Sequence, residues 1–335
     1  MEKYAFFVGI DISKARLDIC LRNATGKLAE FAVDNSVAGV KGAVKLLAQF
    51  EGFKGRDCLA CMEHTGIYGR YALEVLRAKG FAVWHESPVS IKNGAGEIQR
   101  GKNDKVDAAR IAEYAFNFKA KARLWEPPRK VVDLLADLLA LRSRLLEVVK
   151  KLRVPLREIQ KFKDKGHAET VRVACGKTLA NAEKEVRDVK KRILAVIEGD
   201  PALKRLYNLI TSVRGVGFVT ASSLIVATNE FKDINEGRKL ACHAGCAPFD
   251  HKSGTSVRGR SRVSHKANKR LKSLLHMCAC SAIQRPGELR DYFDRMVAKG
   301  KSKFVVLNAV RNKIIHRICA CVRDGRKYTA VPNAA

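Results

Sequence analysis

Residues 4–10 run apolar through Phe6, Phe7, Val8 and Ile10 and stop at Asp11, the profile of a strand buried on both faces. Residues 16–22 instead alternate, with Leu17, Ile19 and Leu21 between Arg16, Asp18 and Arg22, as a half-buried strand requires. Residues 31–33 supply a third strand, and residues 37–50 switch to helical spacing through Val40, Val44 and Leu47. A second buried strand over 58–62 ends at another acid, Glu63, ahead of Thr65-Gly66. A helix over 71–78, a strand over 81–84 and a helix beginning at Asp104 complete the segment. Three strands followed by helix, strand, helix, strand and helix predict an α/β fold.

Trp125-Glu126-Pro127-Pro128 interrupts this pattern and reads as a linker. Beyond it Leu134, Leu138, Leu141, Leu145, Val148 and Leu152 step by four and three until Pro155 ends the run. Leu179, Ala182, Val186, Val189, Ile193 and Val196 repeat the alternation, with a polar connection over 161–166 between the two. A mean spacing of about 3.5 residues is the seam of a coiled coil. Helices over 203–210, 221–227, 271–283, 289–298 and 304–322 make the remainder mostly α-helical. The expected organisation is an α/β domain over 1–124, coiled-coil and linker helices over 125–200, and a helical domain over 201–335.

Charge narrows the function. Sixty-four Lys and Arg against 34 Asp and Glu leave a net charge of +30, which draws the chain to a polyanion, nucleic acid before an anionic membrane. No apolar run reaches the ~20 residues needed to span a bilayer, and the N-terminus lacks the order of a signal peptide, so the expected location is the cytoplasm, at the nucleoid. In that compartment the ten cysteines are reduced, and Cys58-x-x-Cys61 lies inside an apolar run with no second pair at zinc spacing. All ten read as buried structural thiols.

Four acids stand at positions with chemical meaning. Asp11 and Glu63 fall at strand ends, where functional groups gather in α/β sheets. Asp104 and Asp107, three apart at a helix start, share a helix face. Converging carboxylates repel unless cations lie between them, and oxygen-only ligands favour Mg²⁺ or Mn²⁺. A pair of such ions about 4 Å apart activates an attacking oxygen and stabilises a leaving one at phosphorus.

Two stretches of the C-terminal half fit a nucleic-acid enzyme. Arg214-Gly215-Val216-Gly217 between two helices resembles a helix-hairpin-helix turn, whose backbone amides hold a phosphate without reading sequence. Residues 251–262 form a basic, hydroxyl-rich loop with Lys252, Arg258, Arg260 and Arg262 as candidate phosphate contacts. Cations beside a serine lower the cost of losing its proton and stabilise charge at an attacked phosphate. Composition leaves the choice open among Ser253, Thr255, Ser256, Ser261 and Ser264, and by itself favours a phosphate-contacting loop without chemistry.

Three motifs, Gly9-Ile10-Asp11-Ile12-Ser13-Lys14, Glu63-His64-Thr65-Gly66-Ile67-Tyr68 and Asn103-Asp104-Lys105-Val106-Asp107-Ala108, resemble those of a DEDD transposase domain. Residues 245–248 and 253–259 resemble the C-terminal transposase domain of the same family, the IS110 insertion-sequence transposases with their IS1111 branch. The resemblance spans residues 5 to 325 and rests on both halves occurring in this order. It implies a RuvC-like, RNase H-type sheet and a metal-binding tetrad of Asp11, Glu63, Asp104 and Asp107. His64 follows Glu63 directly, and the resemblance leaves open whether its imidazole enters the site, a supporting or bystander role being the favoured one. The resemblance further implies Ser253 as nucleophile, donor and target DNA as substrates, and a structured bridge RNA as guide. It also implies a homodimer to homotetramer with acids and serine from different subunits. Two alternatives stay open: a Holliday-junction-resolvase-like nuclease using water, and a non-catalytic nucleic-acid scaffold.

Overall fold

The computed structural model describes residues 3–94, 104–253, 257–263 and 267–329, with backbone alone at 104–105, 250–253, 257–258 and 260–262. It divides into two compact units, Met1–Pro127 and Pro128–Ala335. The first begins with the strands β1 (Phe6–Ile12), β2 (Arg16–Arg22) and β3 (Lys27–Asp34), followed by the helix α1 (Val37–Leu47). Then come β4 (Cys58–Glu63), α2 (Arg70–Ala78), β5 (Ala82–Glu86), α3 (Pro88–Gly94) and α4 (Asp104–Asn117). The sheet has the order β3-β2-β1-β4-β5. Its first three strands are antiparallel, and β4 and β5 run parallel to β1.

Successive side chains of a strand leave opposite faces, and both faces of this sheet are covered. Phe6, Val8 and Ile10 pack with Val40, Leu47, Leu73 and Leu76 of α1 and α2. Phe7, with Leu59, Cys61 and Trp84, packs on the other side against Ile111, Tyr114 and Ala115 of α4. The element order is the one the apolar pattern predicts, with the unpredicted helix α3 added between β5 and α4. The third strand is longer than expected, because β3 pairs with β2 along its whole length, from Arg16 opposite Asp34 to Arg22 opposite Lys27. Its alternation is hidden by polar edge residues such as Glu30 and Lys27.

The second unit opens with two long helices, α5 (Lys130–Phe162) and α6 (Lys165–Glu198), packed along each other. It continues through α7 (Pro201–Thr211), α8 (Phe218–Ala227), α9 (Gly237–His243), β6 (Pro248–Ser253) and β7 (Val257–Val263). The helices α10 (Lys269–Ala282), α11 (Glu288–Ala298) and α12 (Lys303–Asp324) close it. One apolar core joins Leu135 of α5, Ile193 of α6, Leu224 of α8, Leu275 of α10 and Ile314 of α12.

Three details differ from the sequence reading. Helix α5 continues through Pro155, which is exposed together with Lys151, so the carbonyl left without an amide partner sits on the solvent side. The connection between the long helices shrinks to Lys163 and Asp164, whose carboxylate caps α6 by accepting from the His167 amide at 2.9 Å. The predicted α5 stripe splits into two rows: Leu138, Leu145 and Leu152 are half-buried, whereas Leu134, Leu141 and Val148 stand 48, 39 and 43% exposed.

Arg129 ties the entrance of α5 to the core of this unit. Its guanidinium donates to Asp200 at 2.7 Å and to Glu230 at 2.5 Å, and Asp200 also caps α7. Glu230 stands in a run of three left-handed residues, Asn229, Glu230 and Phe231, held by the Thr228 hydroxyl accepting from the Phe231 amide. Of the ten cysteines, Cys175, Cys242 and Cys280 are partly exposed rather than buried; all ten are free thiols. Among the described residues no helix is long and apolar enough to cross a membrane.

Candidate active site: a row of carboxylates beneath α4

Gly9 sets the geometry of the site. A Cβ built there would lie 2.1 Å from the Ala108 carbonyl oxygen and 2.2 Å from the Ala112 amide, so α4 rests directly on the backbone of β1. Ala108 and Ala112 present small side chains to that contact, beside Cys20 of β2. The first turn of α4 is thereby delivered to the carboxyl ends of β1 and β4.

On the α4 face the strands present acids side by side. Asp11 stands opposite Asp18 across β1 and β2. Ile10 stands opposite Met62, so Asp11 and Glu63 follow as neighbours, and Glu63 is opposite Glu86 on β5. The order across the sheet is therefore Asp18, Asp11, Glu63, Glu86, with Asp107 above it on α4. Burial pushes the Glu63 carboxyl above its ordinary value, and the charges of Asp11 and Asp107 push it further.

The neighbours trim the charge of this row. Asp107 accepts from Arg110 at 2.9 Å, one helical turn on. Asp18, whose side chain is only 5% exposed, accepts from the Arg16 guanidinium at 2.6 Å. Glu86 accepts from the Ser87 amide at 2.6 Å. His64 and His85 stack next to Glu63 with ring centroids 3.5 Å apart. Burial lowers both imidazoles, His85 to about 4, so the pair is neutral at neutral pH and adds no cation to the acids.

Of the predicted tetrad, Asp11, Glu63 and Asp107 come together, and Asp104 opens α4 one turn before Asp107, its side chain outside the described residues. Among the described residues no three such side chains are close enough to form a finished metal cage. The donor set is oxygen alone, which suits a hard divalent cation. The sequence reading missed Asp18 and Glu86. Asp18 sits on the polar side of an alternating strand, where an acid is expected to be solvated; α4 covers that side.

In the second unit the predicted loop is a β-hairpin. Lys252 pairs with Arg258 and Ser253 with Val257, making Ser253 the last residue of β6. The alternation of Arg258, Arg260 and Arg262 with Val257, Gly259, Ser261 and Val263 was the available signal for a strand. The side chains of Lys252, Ser253, Arg258, Arg260 and Arg262 and the whole of residues 254–256 lie outside the described residues. At the glycine turn, Gly215 has φ +87° and no room for a Cβ, which would lie 2.4 Å from the Cys278 carbonyl oxygen. Packing on α10 thus explains this glycine by itself. Arg214 donates to the Pro286 carbonyl at 2.5 Å, while Gly217 is exposed and caps α8 without a side chain.

Comparison with known proteins supplies the class. A DEDD transposase model of the IS110 type matches residues 8–160, and the model of the IS116/IS110/IS902 transposase family matches residues 207–294. The pilin gene-inverting protein of Moraxella bovis is 25% identical, over 96% of this chain and 97% of its own. An IS110 insertion-element protein of Streptomyces coelicolor is 29% identical over 56% of this chain and 48% of its own. Among solved structures, Thermus thermophilus RuvC in complex with a Holliday junction substrate aligns at 14% identity and TM-score 0.29, covering 36% of this chain and 100% of that one. The mixed sheet with its converging acids and the two matched models define a DNA recombinase of the DEDD transposase class, whose chemistry depends on a divalent metal. The chain belongs to the IS110 family of insertion-sequence transposases.

Proposed function

We propose that this chain cuts and exchanges DNA strands through two cooperating groups, a divalent-cation site of Asp11, Glu63, Asp104 and Asp107 and the nucleophile Ser253. The observation that supports it most is the register that sets Asp11 beside Glu63 at the ends of β1 and β4, with α4, which carries Asp107, packed on the backbone of β1. Bound Mg²⁺ or Mn²⁺ would supply charge stabilisation at the scissile phosphate. The protein's own part is to hold the acids at fixed points of β1, β4 and α4 and to keep the neighbouring imidazoles uncharged.

In the strand-cleaving step the Ser253 Oγ forms a bond to phosphorus and the P–O3′ bond breaks. The serine proton leaves to solvent or a nearby base, and the departing 3′ oxygen takes one up as a hydroxyl. The 5′ phosphate stays on serine, so the phosphoester energy is retained for rejoining. Base pairing to a structured bridge RNA supplies sequence choice, in keeping with a chain of +30 charge that grips backbones. Assembly as a dimer or tetramer would bring two donor and two target strands together.

Cation binding by the full-length protein, followed with Mn²⁺ by calorimetry, tests the metal site apart from any DNA. Tight binding in the wild type, lost in Asp11→Asn and Asp107→Asn but kept in Ser253→Ala, is the expected result. Equal binding by all four would place the cation elsewhere.

A further inference from the structure

Arg142 and Lys190 flank the first residue of α8, and Arg270 stands beside Arg142. The Arg142 guanidinium of α5 lies 5.2 Å from the centroid of the Phe218 ring, and the Lys190 ammonium of α6 lies 4.9 Å from the same ring. Arg270 of α10 reaches the same part of α5, donating to the Leu139 carbonyl at 3.2 Å. Burial lowers the Arg142 pKa and the Arg270 charge lowers it further, and no carboxylate acts in the other direction. The Arg142 Nε is buried without a hydrogen-bond partner. Among the described residues none of the three cations has an acidic partner.

Several other arginines of the second unit are ion-paired instead. Arg129, Arg153, Arg290 and Arg317 each close on a carboxylate. Here like charges are brought together by three separate elements, at a cost that an anion would offset. Phe218 is the first residue of α8, and the helix is capped by Gly217, which offers no side chain to its first-turn amides. A flat ring flanked by cations, beside free helix amides, is equipped for a phosphate group with its oxygens turned to the protein.

We propose that Arg142, Lys190 and Arg270 around Phe218 form a phosphate-binding surface for the backbone of duplex DNA. The proposal rests on the reading of this chain as a DNA recombinase and adds a contact surface that lies outside the acidic site and the basic hairpin. It holds the duplex through its phosphates, so it sets grip and orientation rather than sequence.

Lys190 and Arg270 are exposed, so Lys190→Gln with Arg270→Gln changes charge without disturbing the core. Binding of the full-length protein to a duplex of unrelated sequence is measured by fluorescence anisotropy from 50 to 300 mM salt, and thermal unfolding is followed with and without inorganic phosphate. The double variant is expected to bind about tenfold more weakly at ~0.1 M salt, with a log–log salt slope shallower by about 1.8 for two lost phosphate contacts. Its melting temperature without anion should be equal or higher, since a like-charge contact is relieved, and phosphate should raise it less than in the wild type. Arg142→Lys should keep most of the affinity, and Arg142→Gln should lose it. Unchanged affinity and slope in the double variant, with wild-type binding intact, would overturn the surface and leave the recombinase reading standing. A loss confined to structured RNA, with duplex DNA unaffected, would also overturn it. Absence of duplex binding by the wild type would remove both.

Discussion

Glu63 shows what the acidic site costs the resting protein. Its carboxyl is raised by burial and by Asp11 and Asp107, so in the folded state it resists ionising. A raised carboxyl favours folding below its unfolded value, near 4.5, and that advantage disappears as pH rises through the folded value. In chelator at pH 7, Glu63→Gln should therefore melt higher than the wild type, and the gap should close as pH falls toward 4. The same variant should lose cation binding, so stability and function move in opposite directions. Equal melting curves at pH 7 would show that Glu63 is not held against its neighbours. Asp11, Glu63 and Asp107 were legible in the sequence because strand ends and a helix start mark them without tertiary information. Asp18 was not, because an acid on the polar face of a lone strand looks solvated until α4 lies over it. The stacking of His64 on His85 was equally hidden, since the two rings meet only once β4 and β5 are paired.

The docking of α4 is the decisive contact among elements of the first unit. Any side chain at position 9 collides with helix backbone, which cannot rotate aside as a flexible side chain would. Gly9→Ala should cost about 3 kcal/mol or more in urea unfolding, together with the loss of cation binding, because α4 must lift away from Asp11 and Glu63. Gly42, where an added Cβ meets nothing within 4 Å, is the control: Gly42→Ala within α1 should be neutral or slightly stabilising. In the second unit Arg129→Ala leaves Glu230, 6% exposed, without its main cation, and should destabilise by about 3 kcal/mol. The Arg129 guanidinium also holds the Asp200 carboxyl down to about 2, so that part of the stability is present above pH 4 and is lost as pH falls toward 2. The element order followed from periodicity almost throughout. The failures share a physical origin: Pro155 is tolerated because its helix faces water there, and β6 and β7 escaped notice because charge masked a two-residue alternation.

Across the whole chain the charge is divided by task. Acids are gathered on one face of the first sheet, where Asp18, Asp11, Glu63 and Glu86 lie in one row. Cations dominate the second unit, in the hairpin and around Phe218. Gathered carboxylates suit a divalent cation and gathered cations suit a polyanion. The serine step separates this account from a purely hydrolytic nuclease, and a covalent adduct tests it most directly. Protein co-expressed with its flanking non-coding DNA is incubated with donor and target duplexes and Mg²⁺, then resolved on denaturing gels beside Ser253→Ala and Asp104→Ala. The expected result is a protein–DNA adduct in the wild type that is absent from both variants. Strand cleavage without an adduct, undiminished by Ser253→Ala, would contradict the serine mechanism and assign the chemistry to the acids and water alone.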